Sequence, residues 1–168
     1  RDGPLDMRMD GNAGVSAEQW LASVDEKDLV KVLFDYGEER FARRIARAIV
    51  EKRAQSPIKT TRQLAELIED AVPVREKHKH PATRTFQAIR IEINRELDEL
   101  MTVLEQSARI LRPGGRLVVI SFHSLEDRIV KRFMRDESGA KYNPGKLPIK
   151  EADIAKGILK RVGKAIKA

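Results

Sequence analysis

The sequence predicts a mainly α-helical chain with a small β component. Two capping boxes mark helix starts, because the side chains of Ser16 and Thr60 can each accept a backbone N–H while a Gln three residues later reaches back. Apolar residues then recur every three or four positions through most of residues 16–71. Only the run Leu-Val-Val-Ile at 117–120 is rich enough in β-branched residues to predict a buried strand.

Residues 16–71 are predicted to form a compact helical module. A short helix follows Ser16, and Asp25 can cap a second helix that Gly37 interrupts. Between residues 38 and 53 apolar side chains recur every four positions, while Arg40, Arg44 and Arg47 lie on another face. That spacing predicts an amphipathic third helix with a basic side. A fourth helix begins after Thr60 and ends before residue 73.

The second half of the chain is predicted to join a long helix to a strand and another helix. Residues 75–81 form a basic linker, and Pro81 suits the first turn of a helix. Apolar spacing supports a helix from Thr83 to about residue 111, kinked near Asn94 and Arg95 and stopped by the Pro-Gly-Gly turn at 113–115. A strand is predicted at 117–121, and Ser124 would cap a further helix together with Asp127. A single buried strand needs neighbours, so we expect this chain to hold only a slice of an α/β sheet.

Charge and composition restrict the class of protein. Residues 141–168 hold eight Lys or Arg against two acidic residues, a net of +6 out of the chain's +7. This segment is either a solvated basic tail or a phosphate-contacting segment, and charge does not separate the two. The absence of Cys excludes disulfides, thiolate metal sites and a Cys nucleophile. The sequence has neither a signal-peptide core nor an apolar run near the roughly 20 residues of a membrane span, so we expect a cytoplasmic protein.

The first stretch that suggests chemistry is residues 111–128. Ser121 and His123 follow the predicted strand, at the edge where open α/β sheets bind ligands. The alternative is that Ser124 and Asp127 only cap a helix and that His123 is a surface residue. The segment 111–120 also resembles the stretch that leads into the fifth strand of class I S-adenosylmethionine-dependent methyltransferases.

Four stretches, in the same order, resemble one family. They are Arg-Asp-Gly-Pro-Leu-Asp-Met-Arg-Met-Asp at 1–10, the segment 36–49, His-Pro-Ala-Thr-Arg-Thr-Phe-Gln-Ala at 80–88, and Ser-Phe-His-Ser-Leu-Glu-Asp-Arg at 121–128 continuing to 133. Together they resemble the bacterial ribosomal RNA small subunit methyltransferase H family, also known as MraW. The resemblance implies transfer of a methyl group from S-adenosylmethionine to N4 of a cytidine in the decoding centre of 16S ribosomal RNA.

The resemblance also implies a domain organisation. In this family a Rossmann-like catalytic domain is interrupted by a helical insertion that is thought to help recognise RNA. Residues 1–15 would be a loop of the catalytic domain and 16–80 the helical insertion with its linker. Residues 81–140 would be the latter part of the methyltransferase domain, and 141–168 a basic C-terminal segment.

The cofactor site is only partly covered by this resemblance. The family's glycine-rich adenosylmethionine loop and ribose-binding acidic residue would precede Arg1, and its closing strand would follow Ala168. The cofactor-binding residues are therefore unknown, and we expect the isolated chain to be inactive. No metal site is predicted, because His78 and His80 lie among cations without an evident carboxylate partner.

Several residues are candidates for the reaction that the resemblance implies. A cytosine N4 amine is a weak nucleophile, so it must be aligned with the methyl donor and must lose a proton to an acceptor. Asp6, Asp10, Ser121 and His123 are the candidate acceptors. The candidate RNA contacts, each equally consistent with an ordinary ion pair or a solvated tail, are Arg1, Arg8, Arg84, Arg128, Lys156, Lys160, Arg161 and Lys164.

Two functional hypotheses follow. In the first, the chain is part of an RNA methyltransferase whose partner is small-subunit ribosomal RNA or the small ribosomal subunit. In the second, it is a non-catalytic module that binds RNA through its helical portion and basic tail. A homo-oligomer is compatible with either hypothesis.

Overall fold

The structure, a computed structural model, describes residues 2–74, 77, 79–139 and 157–163. The chain forms two compact units, Arg1–Glu96 and Leu97–Ala168. Their described residues form the helices α1 (Ala17–Ser23), α2 (Glu26–Gly37), α3 (Ala42–Gln55), α4 (Thr61–Ala71), α5 (Thr83–Asn94), α6 (Glu96–Ile110) and α7 (Ser124–Glu137). None of these helices is long and apolar enough to cross a membrane.

The first unit is built around α2. This helix packs against α3 and α5, while α3 packs against α4 and α1 against α5. The side chains at the centre of this core are completely or almost completely buried; they are Leu21, Leu29, Leu33, Ile45, Ile49, Leu64, Ile68 and Ile89. The helices predicted within residues 16–71 are therefore confirmed, and both predicted capping boxes are formed.

The helices α2 and α5 lie in close contact at Gly37. A Cβ atom at residue 37 would lie 2.7 Å from the carbonyl oxygen of Arg84 and 3.2 Å from the Cβ of Ala88. Glu38 then ends α2 in the left-handed conformation, with φ of 49°. Its N–H donates to the carbonyl of Phe34, which closes the helix by a local hydrogen bond.

The long helix predicted after Thr83 is divided into α5 and α6, and the predicted kink is confirmed as a break. Arg95 adopts φ of 49°, and its N–H donates to the carbonyls of Glu92 and Ile91 at the end of α5. The amide of Asn94 donates to the carbonyl of Arg90 one turn earlier. Because α5 packs against α1 and α2, the segment predicted to begin the second part of the catalytic domain lies in the same unit as the helical module. The predicted domain boundaries remain a prediction.

The predicted strand at 117–121 is wrong for this structure. These residues lack regular secondary structure, and the only β-type pairing among the described residues is an isolated bridge between Pro4 and Thr60. Exposure nevertheless alternates as in a strand: Val118, Ile120 and Phe122 are 82%, 77% and 90% exposed, while the residues between them are half-buried. A strand needs a backbone partner, and no described residue provides one to this segment. The small β component and the Rossmann-like architecture are not formed by the described residues.

The weak apolar spacing of residues 154–166 predicts a further helix, but the described part of this segment does not form one. Residues 157–163 are not helical, and the N–H of Leu159 donates to the carbonyl of Glu137 at the end of α7. The rest of that prediction lies outside the described residues. A single weak apolar period without a cap was insufficient to specify a helix.

Replacing Gly37 by Ala should destabilise the first unit. The added methyl group would press on the Arg84 carbonyl, and such overpacking costs about 1–3 kcal/mol, more than the ~0.5–1 kcal/mol that Ala contributes within a helix. Urea unfolding of the chain measures the difference. Gly11→Ala is the matched control, because a Cβ there meets nothing within 4 Å. A Gly37→Ala variant as stable as the control would contradict the α2–α5 contact.

Candidate functional site

The N-terminal segment, predicted as a loop, is tied to the helical unit by backbone hydrogen bonds. The Leu5 N–H donates to the carbonyl of Lys59 (2.9 Å), and the Leu5 carbonyl accepts from Glu18 (2.8 Å). The carbonyl of Asp6 accepts from Ala17 at 2.7 Å, and the Leu5 side chain is buried in the core. This anchoring fixes the position of two predicted site residues, Asp6 and Arg8.

Asp6 and Arg8 form a bidentate ion pair. Arg8 donates from Nε to one carboxylate oxygen at 2.6 Å and from Nη2 to the other at 3.0 Å. The side-chain hydrogen bond from Arg8 is the largest cause that holds the pKa of Asp6 below its usual value, and the same contact raises the pKa of Arg8. Asp6 is therefore an ionised, fully engaged carboxylate, and Arg8 already has an anionic partner.

The side chain of Asn94 holds the residues between Asp6 and Asp10, a role that the sequence does not predict. Met7 has φ of 63°, a conformation that costs a bulky residue of order 1–3 kcal/mol. Asn94 stabilises it from α5: its Nδ2 donates to the Met7 carbonyl at 2.8 Å, and its Oδ1 accepts from the Met9 N–H at 2.7 Å. We call these contacts the Asn94 clamp. Because 87 residues separate Met7 from Asn94, no local pattern indicates it.

Asp10 lies beyond the Asn94 clamp, in an exposed turn. One of its carboxylate oxygens accepts from the Asn12 N–H at 2.9 Å, and its carbonyl accepts from Ala13. The other carboxylate oxygen has no hydrogen bond within the described residues. An open depression of about 230 Å³ lies beside Asp6 in the same unit and is lined by Pro4, Leu5, Asp6, Arg8, Gly14, Ser16, Glu18 and Gln19.

The remaining two candidate acceptors, Ser121 and His123, lie in the second unit at the start of α7. The prediction that Ser124 and Asp127 cap this helix is wrong by one residue. His123 is the cap: its Nδ1 accepts from the Glu126 N–H, and the Glu126 carboxylate accepts from the N–H groups of Phe122 and His123. Asp127 instead pairs with Lys131 at 2.6 Å. An imidazole nitrogen, one residue earlier than the hydroxyl, thus takes the role usually expected of Ser.

The cap fixes how His123 can act. Its side chain is only 11% exposed, so the alternative of a surface histidine is wrong. Because Nδ1 accepts a backbone hydrogen bond, the neutral ring carries its proton on Nε2. That atom is buried, lies 3.5 Å from the Glu126 carboxylate and makes no hydrogen bond to a described residue. Ser121 is half-buried at the end of the extended segment.

The predicted RNA contacts are only partly covered by the described residues. Arg1, Lys156 and Lys164 lie outside them. Arg128 is exposed on α7, and Lys160 and Arg161 are exposed in the non-helical segment 157–163. Arg84 is half-buried in the first turn of α5, where it lines a cleft.

This cleft is a second feature that sequence analysis missed. The turn before α3 and the start of α5 form it, and its lining residues are Glu39, Arg40, Phe41, Val72, Val74, Lys79, His80, Pro81 and Arg84. His80 is held in place, because its Nδ1 accepts from the Ala82 N–H and its Nε2 lies 2.6 Å from a carboxylate oxygen of Glu69. The statement that His80 has no carboxylate partner is therefore wrong; His78 lies outside the described residues.

Comparison with known proteins gives a consistent result over the whole chain. The model of the MraW methylase family matches residues 1–168. The chain is 60% identical over 168 residues to a ribosomal RNA small subunit methyltransferase H from Thioalkalivibrio sulfidiphilus, and 56% identical over 168 residues to one from Alteromonas mediterranea. A relative of the same name from Chromobacterium violaceum is 59% identical over 167 residues. Each alignment covers 99% of this chain and 52–54% of the relative, so the chain spans about half the length of the curated relatives it matches.

The pairing of Asp6 with Arg8 predicts a pH dependence. Because the pKa of folded Asp6 lies below its usual 3.8, Asp6 stabilises the fold above pH 3.8, and that contribution is lost as the pH falls through its folded pKa. Arg8→Gln should return the Asp6 pKa toward 3.8, as followed by an NMR titration of the carboxyl carbon. Arg62→Gln is the control, since Arg62 contacts Asp2 and not Asp6. An Asp6 pKa that is the same in the wild type and in Arg8→Gln would show that the ion pair is not formed in solution.

Proposed function

Because the chain belongs to the MraW methylase family, we propose that it is part of an S-adenosylmethionine-dependent methyltransferase acting on N4 of a cytidine in the decoding centre of 16S ribosomal RNA. The observation that carries this proposal is the family match across all 168 residues together with 56–60% identity to small subunit methyltransferases H. The substrate is the RNA of the small ribosomal subunit, and the reaction takes place in the cytoplasm.

The described residues do not offer a glycine-rich site for the methyl donor. The pair Gly114 and Gly115 follows α6 and precedes the extended segment, so its amides do not open a helix toward a ligand. The Gly115 N–H already donates to the carbonyl of Arg112 at 2.8 Å. We therefore assign to these residues no contact with the methyl donor.

The two carboxylate candidates, Asp6 and Asp10, differ in how many of their oxygens can still accept a hydrogen bond. An amine becomes more nucleophilic when an oxygen or nitrogen lone pair accepts its N–H. Both oxygens of Asp6 are used by Arg8, whereas Asp10 keeps one carboxylate oxygen free of any described partner. Asp10 is thus the better proton acceptor of the two, and Asp6 with Arg8 positions the segment that carries it.

His123 is suited to a different task. With its proton on Nε2, the neutral ring donates a hydrogen bond at that atom and does not accept one. Because that atom is buried, we assign to His123 the positioning of residues 121–123 at the start of α7 and no contact with the base. The hydroxyl of Ser121 can act as donor or acceptor.

One observation favours the alternative of an RNA-binding module without catalytic activity. The unit Arg1–Glu96 has its own buried core and carries exposed arginines at the start of α3. A compact unit with such a surface can hold RNA independently of any chemistry. The two functions are compatible, because binding of the substrate precedes methyl transfer.

A chimera tests the catalytic proposal. When this chain replaces the matching segment of the Thioalkalivibrio sulfidiphilus relative, the product should transfer a radiolabelled methyl group to small subunits from a strain that lacks the modification. Asp10→Asn should lower kcat roughly 10²-fold if the carboxylate accepts the amine proton. His123→Asn keeps a capping side chain, so activity and thermal stability close to those of the wild type would show that capping of α7 is the role of His123.

The control is Asn12→Ala, which keeps the Asn12 N–H that donates to Asp10 and should keep the activity. A chimera that folds and binds the donor yet methylates no cytidine would refute the catalytic proposal. Full activity in Asp10→Asn would refute only the role of Asp10.

The chain by itself should bind S-adenosylmethionine weakly. It spans about half of each relative, and its described Gly pair does not form a ligand-binding turn. Isothermal titration calorimetry with the donor should show no binding at micromolar concentrations, while the chimera binds. Micromolar affinity in the isolated chain would place the donor site within these 168 residues.

A further inference from the structure

The start of α3 carries cations that lack the carboxylate partners found elsewhere in the same unit. Arg8, Arg47, Arg62 and Arg90 each pair with an Asp or Glu. By contrast Arg40, Arg43 and Arg44, which we call the arginine face, are exposed and make no ion pair with any described residue. Arg40 has one contact, with its guanidinium 4.8 Å from the centre of the Phe41 ring.

Folding alone does not explain this arrangement. Arg43 and Arg44 lie in the first turn of α3, which contains no acidic residue. Cations there oppose the helix dipole, which disfavours positive charge in the first turn of a helix. The arginine face therefore slightly destabilises the free chain, which is typical of residues kept for binding.

The arginine face continues into the cleft between the start of α3 and the start of α5. Arg40 lines that cleft together with Lys79 and with Arg84 of α5. The one carboxylate among its lining residues belongs to Glu39, which is buried and accepts from the Phe41 N–H at 2.9 Å. The imidazole of His80 is fixed by Ala82 and Glu69, and the ring of Phe41 orients Arg40, so this wall of the cleft is preorganised.

We propose that the arginine face and this cleft form one binding surface for the phosphates of the RNA substrate. Guanidinium groups match phosphate oxygens in geometry, and the arginine face places three of them within five residues, on the turn before α3 and on its first turn, so they can contact neighbouring phosphates. Such contacts position the strand without reading its sequence. The choice of RNA over another polyanion rests on the proposed function.

Paired charge-neutral variants test this surface. Arg43→Gln with Arg44→Gln removes two cations of the arginine face, and Lys52→Gln with Lys59→Gln removes two exposed cations from the other end of α3 and the loop after it. Binding of a fluorescent single-stranded RNA oligonucleotide of decoding-region sequence is measured between 50 and 200 mM salt. Two lost phosphate contacts should flatten the slope of log affinity against log salt by about 1.4. The Lys pair should leave the slope unchanged.

The melting temperature is a second measurement, and it should change in opposite directions in the arginine-face variant and in the Lys control variant. Removing Arg43 and Arg44 relieves the conflict with the helix dipole, so the melting temperature should stay the same or rise. Removing Lys52 takes a favourable cation from the last turn of α3, so the control pair should melt slightly lower. A double variant with weaker RNA binding and undiminished stability has therefore lost a binding surface and not its fold.

The cleft is tested separately by Arg40→Gln with Lys79→Gln, which should flatten the slope by a similar amount. Equal slopes for the arginine-face, cleft and Lys variants, an absence of salt-dependent binding in the wild type, or a preference for an acidic peptide over RNA would each overturn the proposal. In the chimera, the Arg43 and Arg44 substitutions should raise KM for the small subunit and leave kcat unchanged. A chimera that folds and binds the methyl donor but does not methylate would refute the proposed function, whereas loss of RNA binding in these variants would still support the surface.

Discussion

The approach of α2 to α5 at Gly37 determines the arrangement of the first unit. With no side chain at this position, the backbone of α5 lies within contact distance of α2, and the first turn of α5 is carried to the end of α2. The chain then reverses through Glu38 and Glu39 and enters α3 beside that same turn. The arginine face, the cleft and Arg84 are therefore brought together by one contact between backbones. A bulkier residue at 37 would separate cations that are distant in sequence.

The same helix α5 connects the basic surface to the N-terminal segment. Its first turn contributes Arg84 to the cleft, and its last residue, Asn94, forms the Asn94 clamp on Met7 and Met9. The conformational cost of Met7 is offset by the two hydrogen bonds that Asn94 makes from α5. These bonds fix the position of the segment that carries Asp6 and Asp10. A single element thus positions both the proposed RNA-binding surface and the candidate acceptor, and sites built on helices are held more precisely than sites on loops.

The sequence predicted those features whose cause is local. Capping by Ser16 and Thr60, the four-residue spacing in α3 and the break near Arg95 all depend on neighbours within one or two turns. It failed where distant residues decide. The Asn94 clamp joins residues 87 positions apart, and the segment at 117–121 has the composition of a strand but lacks a partner among the described residues. His123 was missed as a cap because propensity favours the hydroxyl of Ser124 next to it.

The alternating exposure of residues 117–122 has a consequence for the aggregation of the chain. Residues 117–122 are uncharged, contain no Pro or Gly and are dominated by β-branched and aromatic side chains. Val118, Ile120 and Phe122 present one apolar edge to solvent, and the backbone of residues 117–121 makes no hydrogen bond to the backbone of a described residue. Segments of this kind add strands from other molecules and stack. Concentrated solutions of the isolated chain should therefore form β-rich aggregates that begin at this edge. Ile120→Lys should suppress this aggregation by placing a charge within the apolar segment.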